Sequence, residues 1–169
     1  MNIFLPYEHD IEKSVMSLDD LRLNKQILEC DQLVLNSLKE RAGVQIKWYK
    51  NHPIYVHYKY NISFLLVYGY RCCVEYQHRF NKKHALTDKF IYSMLAMRVD
   101  EEHLEYTPFY MEGSMGQPNY IRTTTEVSEL YQAKLCAKWD KDKMKGRTPK
   151  WTNREIPAFY KGEEDNVQG

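Results

Sequence analysis

The segment that most constrains the fold runs from Pro53 to Phe80. Ile62, Phe64, Leu65, Leu66, Tyr68, Cys72, Cys73, Tyr76 and Phe80 make it apolar enough to be buried on most sides. Pro53 suits a first helical position, where its missing N–H costs nothing, so Asn51 or His52 is placed as the cap. At the other end Glu75 and Arg79 are one turn apart on a shared face, and Lys82 and His84 follow. Titratable groups thus bracket a run that otherwise reads as core. The run is one long helix or two separated near Asn61, and Gly69 permits close approach of a neighbour.

A helix of that character needs apolar partners, and the rest of the chain supplies them. Residues 2–6 read as a short extended entry stopped by Pro6. A helix is expected from near Ser17, with Asp19 and Asp20 in its first turn; Leu23, Ile27, Cys30, Val34 and Leu38 recur at helical spacing until Gly43. Residues 44–52 connect it to Pro53. A further helix is expected over 87–99, with Phe90, Ile91, Met94 and Leu95 inward, then a long loop over 101–122 containing Pro108, Gly113, Gly116 and Pro118. Thr123 and Glu126 form a capping box for a helix over 124–142, carrying Val127, Leu130, Tyr131, Leu135 and Trp139 on one face. An irregular, Pro-punctuated aromatic segment closes the chain. The expectation is an all-α fold: a compact single-domain helical bundle over residues 1–162, with a disordered acidic tail at 163–169.

Composition narrows the function. No run approaches the length of a membrane span, and the apolar residues at 3–5 lack the basic flank of a leader, so a cytoplasmic protein is expected. Cys30, Cys72, Cys73 and Cys136 fall in helical patterns without C-x-x-C spacing and read as buried free thiols. The net charge of +1 hides an asymmetry, because nine Lys or Arg face three acids from Lys134 to Lys161, whereas residues 1–133 carry fifteen against seventeen. Lys143, Lys145, Arg147 and Lys150, beside Trp151, mix cations and aromatics as phosphate-tracking surfaces do. The alternative for this stretch is a solvated helix end.

No Gly-rich phosphate loop, dinucleotide fingerprint or G-x-S-x-G is present, and His52, His57, His78 and His84 form no H-E-x-x-H pair, so neither a cofactor nor a metal is expected. Asp20, Asn24 and Asp31 share a stripe beside the core face of the first long helix, a pattern that serves a site or simply solvation. Lys25 is offset from Asp20. Glu75 between Arg71 and Arg79 is a site carboxylate or a surface ion pair.

Met1-Asn2-Ile3-Phe4, the stretch from Leu18 to Gln26, the Tyr49-Lys50-Asn51-His52-Pro53 junction and Pro149-Lys150-Trp151 resemble the pyrimidine-dimer DNA glycosylases. The Glu75-Arg79-Lys82-His84 pattern and the stretch from Trp151 to Pro157 resemble more closely a group of uncharacterised phage proteins. The resemblance implies an all-helical domain whose N-terminal segment threads between helices, and a glycosylase in which an amine attacks the sugar C1′ so that the base leaves and an imine permits strand scission. It implies an essential carboxylate in the first helix, preceded by arginine; Asp20 is the match, with Arg22 standing in for the missing arginine. The implied nucleophile is an N-terminal amine, here that of Met1, with Lys25 as the alternative. His52, Glu75, Arg79 and His84 are expected to line the same cleft beside Asn51. Lys143, Lys145, Arg147 and Lys150 would hold the DNA backbone, with Trp151 or a loop tyrosine stacking in the gap left by an extruded base. The partner expected is DNA, bound by a monomer. Two alternatives are a noncatalytic DNA-binding or host-interaction protein and a metal-dependent nuclease.

Overall fold

The computed structural model describes residues 2–47, 49–99 and 124–160, and the fold is all-α, without strands among these residues. Six helices follow in order: α1 (Ile11–Met16), α2 (Asp20–Arg41), α3 (Pro53–Tyr58), α4 (Ile62–Phe80), α5 (Thr87–Met97) and α6 (Thr124–Met144), with a single 3-10 turn at Ala158–Tyr160. The expected loop over 101–122 and the acidic tail lie outside the described residues. None of the described helices is long and apolar enough to cross a membrane.

The first long helix starts at Asp20 rather than Ser17. Residues 11–16 form a separate short helix capped by Asp10, whose carboxylate accepts the Lys13 N–H at 2.7 Å. Ser17 belongs to the break, because its hydroxyl donates to the Ser14 carbonyl at the end of α1. From there α2 buries Leu23, Ile27, Cys30, Leu33 and Val34 against α4, while Leu38 stays exposed. The junction before α3 places Pro53 at the first helical position, and the His52 ring caps the helix by accepting the Ile54 N–H. Asn61 ends the α3 turn and caps α4 in the same manner.

Gly69 is where α4 meets α5. A Cβ there would lie 2.5 Å from the Phe90 ring, so the missing side chain is the notch that Phe90 fills. Phe90 is the buried apolar side chain of α5, with Met94 and Met97 packed only partly against the core, so the buried face of the helix is narrow. Leu95, expected to face inward, is 69% exposed, because it lies well round the helix from Phe90.

The N-terminal segment is threaded into the bundle. Ile3, Phe4 and Leu5 are buried, and an extended backbone inside a core needs partners for its polar groups. Side chains supply them: the Gln26 amide accepts the Phe4 N–H and donates to the Asn2 carbonyl, Tyr68 donates to the Phe4 carbonyl and Gln132 to that of Pro6. At the far end Trp139 of α6 is completely buried, donates to Asp19 at 3.0 Å and packs on Trp151, Phe159 and Tyr160. All four cysteines are free thiols, three of them buried.

Candidate active site and nucleic-acid interface

The polar stripe of α2 faces protein, not solvent. Asp20 pairs with Arg79, Asn24 with His84, and Asp31 with Lys89, so each member has a partner on or after α4. The Asp20 contact belongs to a buried network. The Arg79 side chain is fully enclosed and donates to Glu75, to Asp20 and to the carbonyls of Leu18 and Met16. Arg154 grips both oxygens of Glu75 at 2.8 Å, and Thr152 binds both oxygens of Asp20 through its N–H and hydroxyl. Burial pushes the Glu75 carboxyl up, but the hydrogen bonds and charges of Arg154 and Arg79 outweigh it and hold it below its ordinary value.

Asp20, Glu75 and Arg79 therefore converge as expected, but in a closed knot that fastens the C-terminal segment to the α1–α2 junction. Arg79 has no exposed surface with which to meet a phosphate, and the Asp20 oxygens are taken by protein donors. Arg154 and Thr152 went unread because nothing at short range marks them as partners of residues more than seventy positions away. His52 lies outside this knot: its described contacts are Tyr49 and Ile54, and burial lowers its basicity, with the positive charge at the start of the chain adding to the effect. His84 contacts Asn24, Leu86 and the Tyr76 ring, and burial lowers it too. Trp151 is packed edge-on against Trp139, with its N–H on the Ser17 carbonyl, so its ring closes the core instead of reaching outward.

A different set of residues surrounds the start of the chain. Asn2, Lys25, Gln26, Glu29, Lys138 and Asp142 line a pocket of about 120 Å³ between the N-terminal segment, α2 and α6. Glu29 accepts the backbone N–H of Asn2 at 3.3 Å and the Gln26 amide at 3.0 Å through one oxygen, while the other lies 3.8 Å from the Lys25 ammonium. Lys25 is exposed. Arg22 forms part of the wall but is held by Asp19 at 2.9 Å and Asp142 at 2.6 Å, so it is a brace and not a spare cation. Burial lowers the basicity of the half-buried Lys138, and the positive charges of Arg22 and Lys25 add to it. Met1 lies outside the described residues.

The basic stretch continues from that wall. Two residues beyond Asp142, α6 ends at Met144 and Gly146 turns the chain at φ +73°. Lys143, Lys145, Arg147 and Lys150 are all exposed around this turn. The Lys150 carbonyl accepts the Asp20 N–H at 2.8 Å and ties the turn to the start of α2. Asn51 is exposed in the turn before α3. Among the described residues no group of three His, Cys, Asp or Glu is placed to hold a metal ion.

A family model described as pyrimidine dimer DNA glycosylase matches residues 1–88, just over half of the chain and all of the segment from the threaded N-terminus through α4. No curated protein and no solved structure matches.

Proposed function

Starting from the premise that this chain belongs to the pyrimidine dimer DNA glycosylase family, we propose that it cleaves the N-glycosidic bond of a damaged pyrimidine in duplex DNA, with an amine at the start of the chain as nucleophile and Glu29 as the essential carboxylate. The observation that carries this reading is the hydrogen bond from the Asn2 N–H to Glu29, which joins the start of the chain to a carboxylate of α2. Asp20 is the weaker candidate, because its oxygens already serve Arg79 and Thr152.

The chemistry follows from that juxtaposition. The amine nitrogen donates its electron pair to C1′ as the bond to the base breaks, and a carboxylate beside C1′ stabilises the positive charge that develops there. Loss of a proton from nitrogen and opening of the sugar ring give an imine. Removal of a C2′ proton then expels the 3′ phosphate by β-elimination, which is the lyase step. An α-amine suits the first role, since its ordinary pKa of about 7.7–8.0 leaves a useful neutral fraction at pH 7. The exposed cations at Lys143, Lys145, Arg147 and Lys150, on the same helix end as one wall of the pocket, would hold the DNA backbone and carry no sequence information.

The test is borohydride treatment of the protein with ultraviolet-irradiated duplex DNA. A covalent adduct together with released base supports the proposal. Binding with no adduct and no released base would favour a noncatalytic DNA-binding protein.

A further inference from the structure

Two groups in the Asn2–Glu29 pocket lack partners of opposite kinds. Lys138 is half-buried on the wall; its ammonium makes no close ion pair or hydrogen bond among the described residues, and the charges of Glu29 and Asp142 offset only part of its burial. Its cationic neighbours are Arg22, committed to Asp19 and Asp142, and Lys25. Asn2 is 9% exposed, yet its side-chain oxygen Oδ1 is buried without a hydrogen-bond donor among the described residues. A cation held partly out of water is costly until an anion joins it, and a buried amide oxygen is costly until an N–H or O–H reaches it.

Resting on the glycosylase reading above, we infer that this pocket seats one nucleotide of the bound strand, with Lys138 taking its flanking phosphate and Asn2 Oδ1 accepting an N–H of its base. A nucleotide carries both an anion and a planar hydrogen-bond donor. Glu29 repels a phosphate from its own side of the pocket, so the phosphate belongs on the Lys138 wall and the sugar nearer Glu29. The depressed basicity of Lys138 fits a site that is electrostatically incomplete while empty. Asn2 then bears on which base is accepted, since an acceptor at this point rewards a base that presents an N–H.

The probe is a duplex containing one uncleavable 2′-fluoro damaged nucleotide, made with its flanking phosphates intact or replaced singly by uncharged methylphosphonate. For the unmodified protein, one replacement should weaken binding about tenfold. Lys138→Met should bind the intact duplex about tenfold more weakly and lose nothing further at that same replacement, while Lys138→Arg restores the wild-type pattern. Asn2→Ala should weaken binding of the base-containing duplex several-fold and leave binding to a tetrahydrofuran abasic duplex unchanged. Additive losses for Lys138→Met and the methylphosphonate, or equal losses for Asn2→Ala on both duplexes, would overturn the inference and leave the glycosylase reading intact. That reading fails separately, and the inference with it, if the unmodified protein releases no base from irradiated DNA and does not distinguish damaged from undamaged duplex.

Discussion

The N–H of Asn2 and the carboxylate of Glu29 are 3.3 Å apart across a gap of 27 residues, so the threaded segment delivers the start of the chain to the middle of α2. The first prediction tests what that meeting is for. Glu29→Gln keeps the size and most of the hydrogen bonding but removes the charge, and is expected to abolish base release while leaving DNA affinity within a few-fold. Asp20→Asn is expected to do the reverse, retaining base release and lowering stability by about 1–3 kcal/mol, because it weakens a hold on the enclosed Arg79. Single-turnover base release and thermal melts of both variants decide between the two carboxylates.

The Glu75 knot gives a pH prediction. The folded carboxyl titrates below its ordinary value of 4.5, so its stabilising contribution is fully present above that pH and is lost as pH falls through the lower folded value. Glu75→Gln should therefore cost about 1–3 kcal/mol near pH 7, where it removes the charge shared by Arg79 and Arg154, and progressively less in acid. Urea melts of both proteins between pH 7 and 3 measure the gap; a constant gap would contradict it.

Packing at the α4–α5 crossing predicts the effect of one methyl group. Gly69→Ala would place Cβ 2.5 Å from two atoms of the Phe90 ring, and overpacking of this kind costs about 1–3 kcal/mol. Phe90→Leu in the same background should return part of that loss.

The exposed helix end predicts a salt dependence. Each phosphate contact contributes about 0.9 to the slope of log K against log salt on duplex DNA, so neutralising Lys143, Lys145, Arg147 and Lys150 together should reduce the slope by roughly 3 to 4 and weaken all sequences alike. An unchanged slope would make these four a solvated surface.

The amine is tested by two changes. Acetylating the N-terminus should abolish borohydride-trapped adducts, whereas Lys25→Met should leave them, because the exposed Lys25 side chain pairs with Glu29 at the surface of α2. Adducts that survive acetylation and vanish with Lys25→Met would reverse the assignment.

Much of the scaffold was legible because its signals are local. Apolar spacing marks α2 and α4, Pro53 after His52 marks the start of α3, Asn61 marks the division before α4, and Gly69 marks a close approach. The short α1 escaped because Ile11–Met16 is less than two turns long and has no periodicity to display. Asp20 looked like a site residue for the same property that makes it a brace, a carboxylate on a polar stripe. Which side of that line it falls on is decided by Arg79 and Thr152, 59 and 132 residues away. Arg22, Gln26 and Glu29 repeat the same helical spacing on another face of α2, and that second stripe was readable by the same reasoning. Its importance comes from the N-terminal segment and α6 lying against it, which no local pattern announces.

The way residues 2–6 are held makes them a replaceable part. Every described hydrogen bond that seats their backbone comes from a side chain of another element: Gln26 and Glu29 of α2, Tyr68 of α4, Gln132 of α6 and Ser14 just beyond the segment for Tyr7. None is a ladder that the segment builds with a neighbouring strand. A protein lacking these residues would retain a slot shaped for Ile3, Phe4 and Leu5, into which a short synthetic peptide could be docked in trans. The group presented to the pocket would then be open to synthetic chemistry, including amines that ribosomal synthesis cannot install.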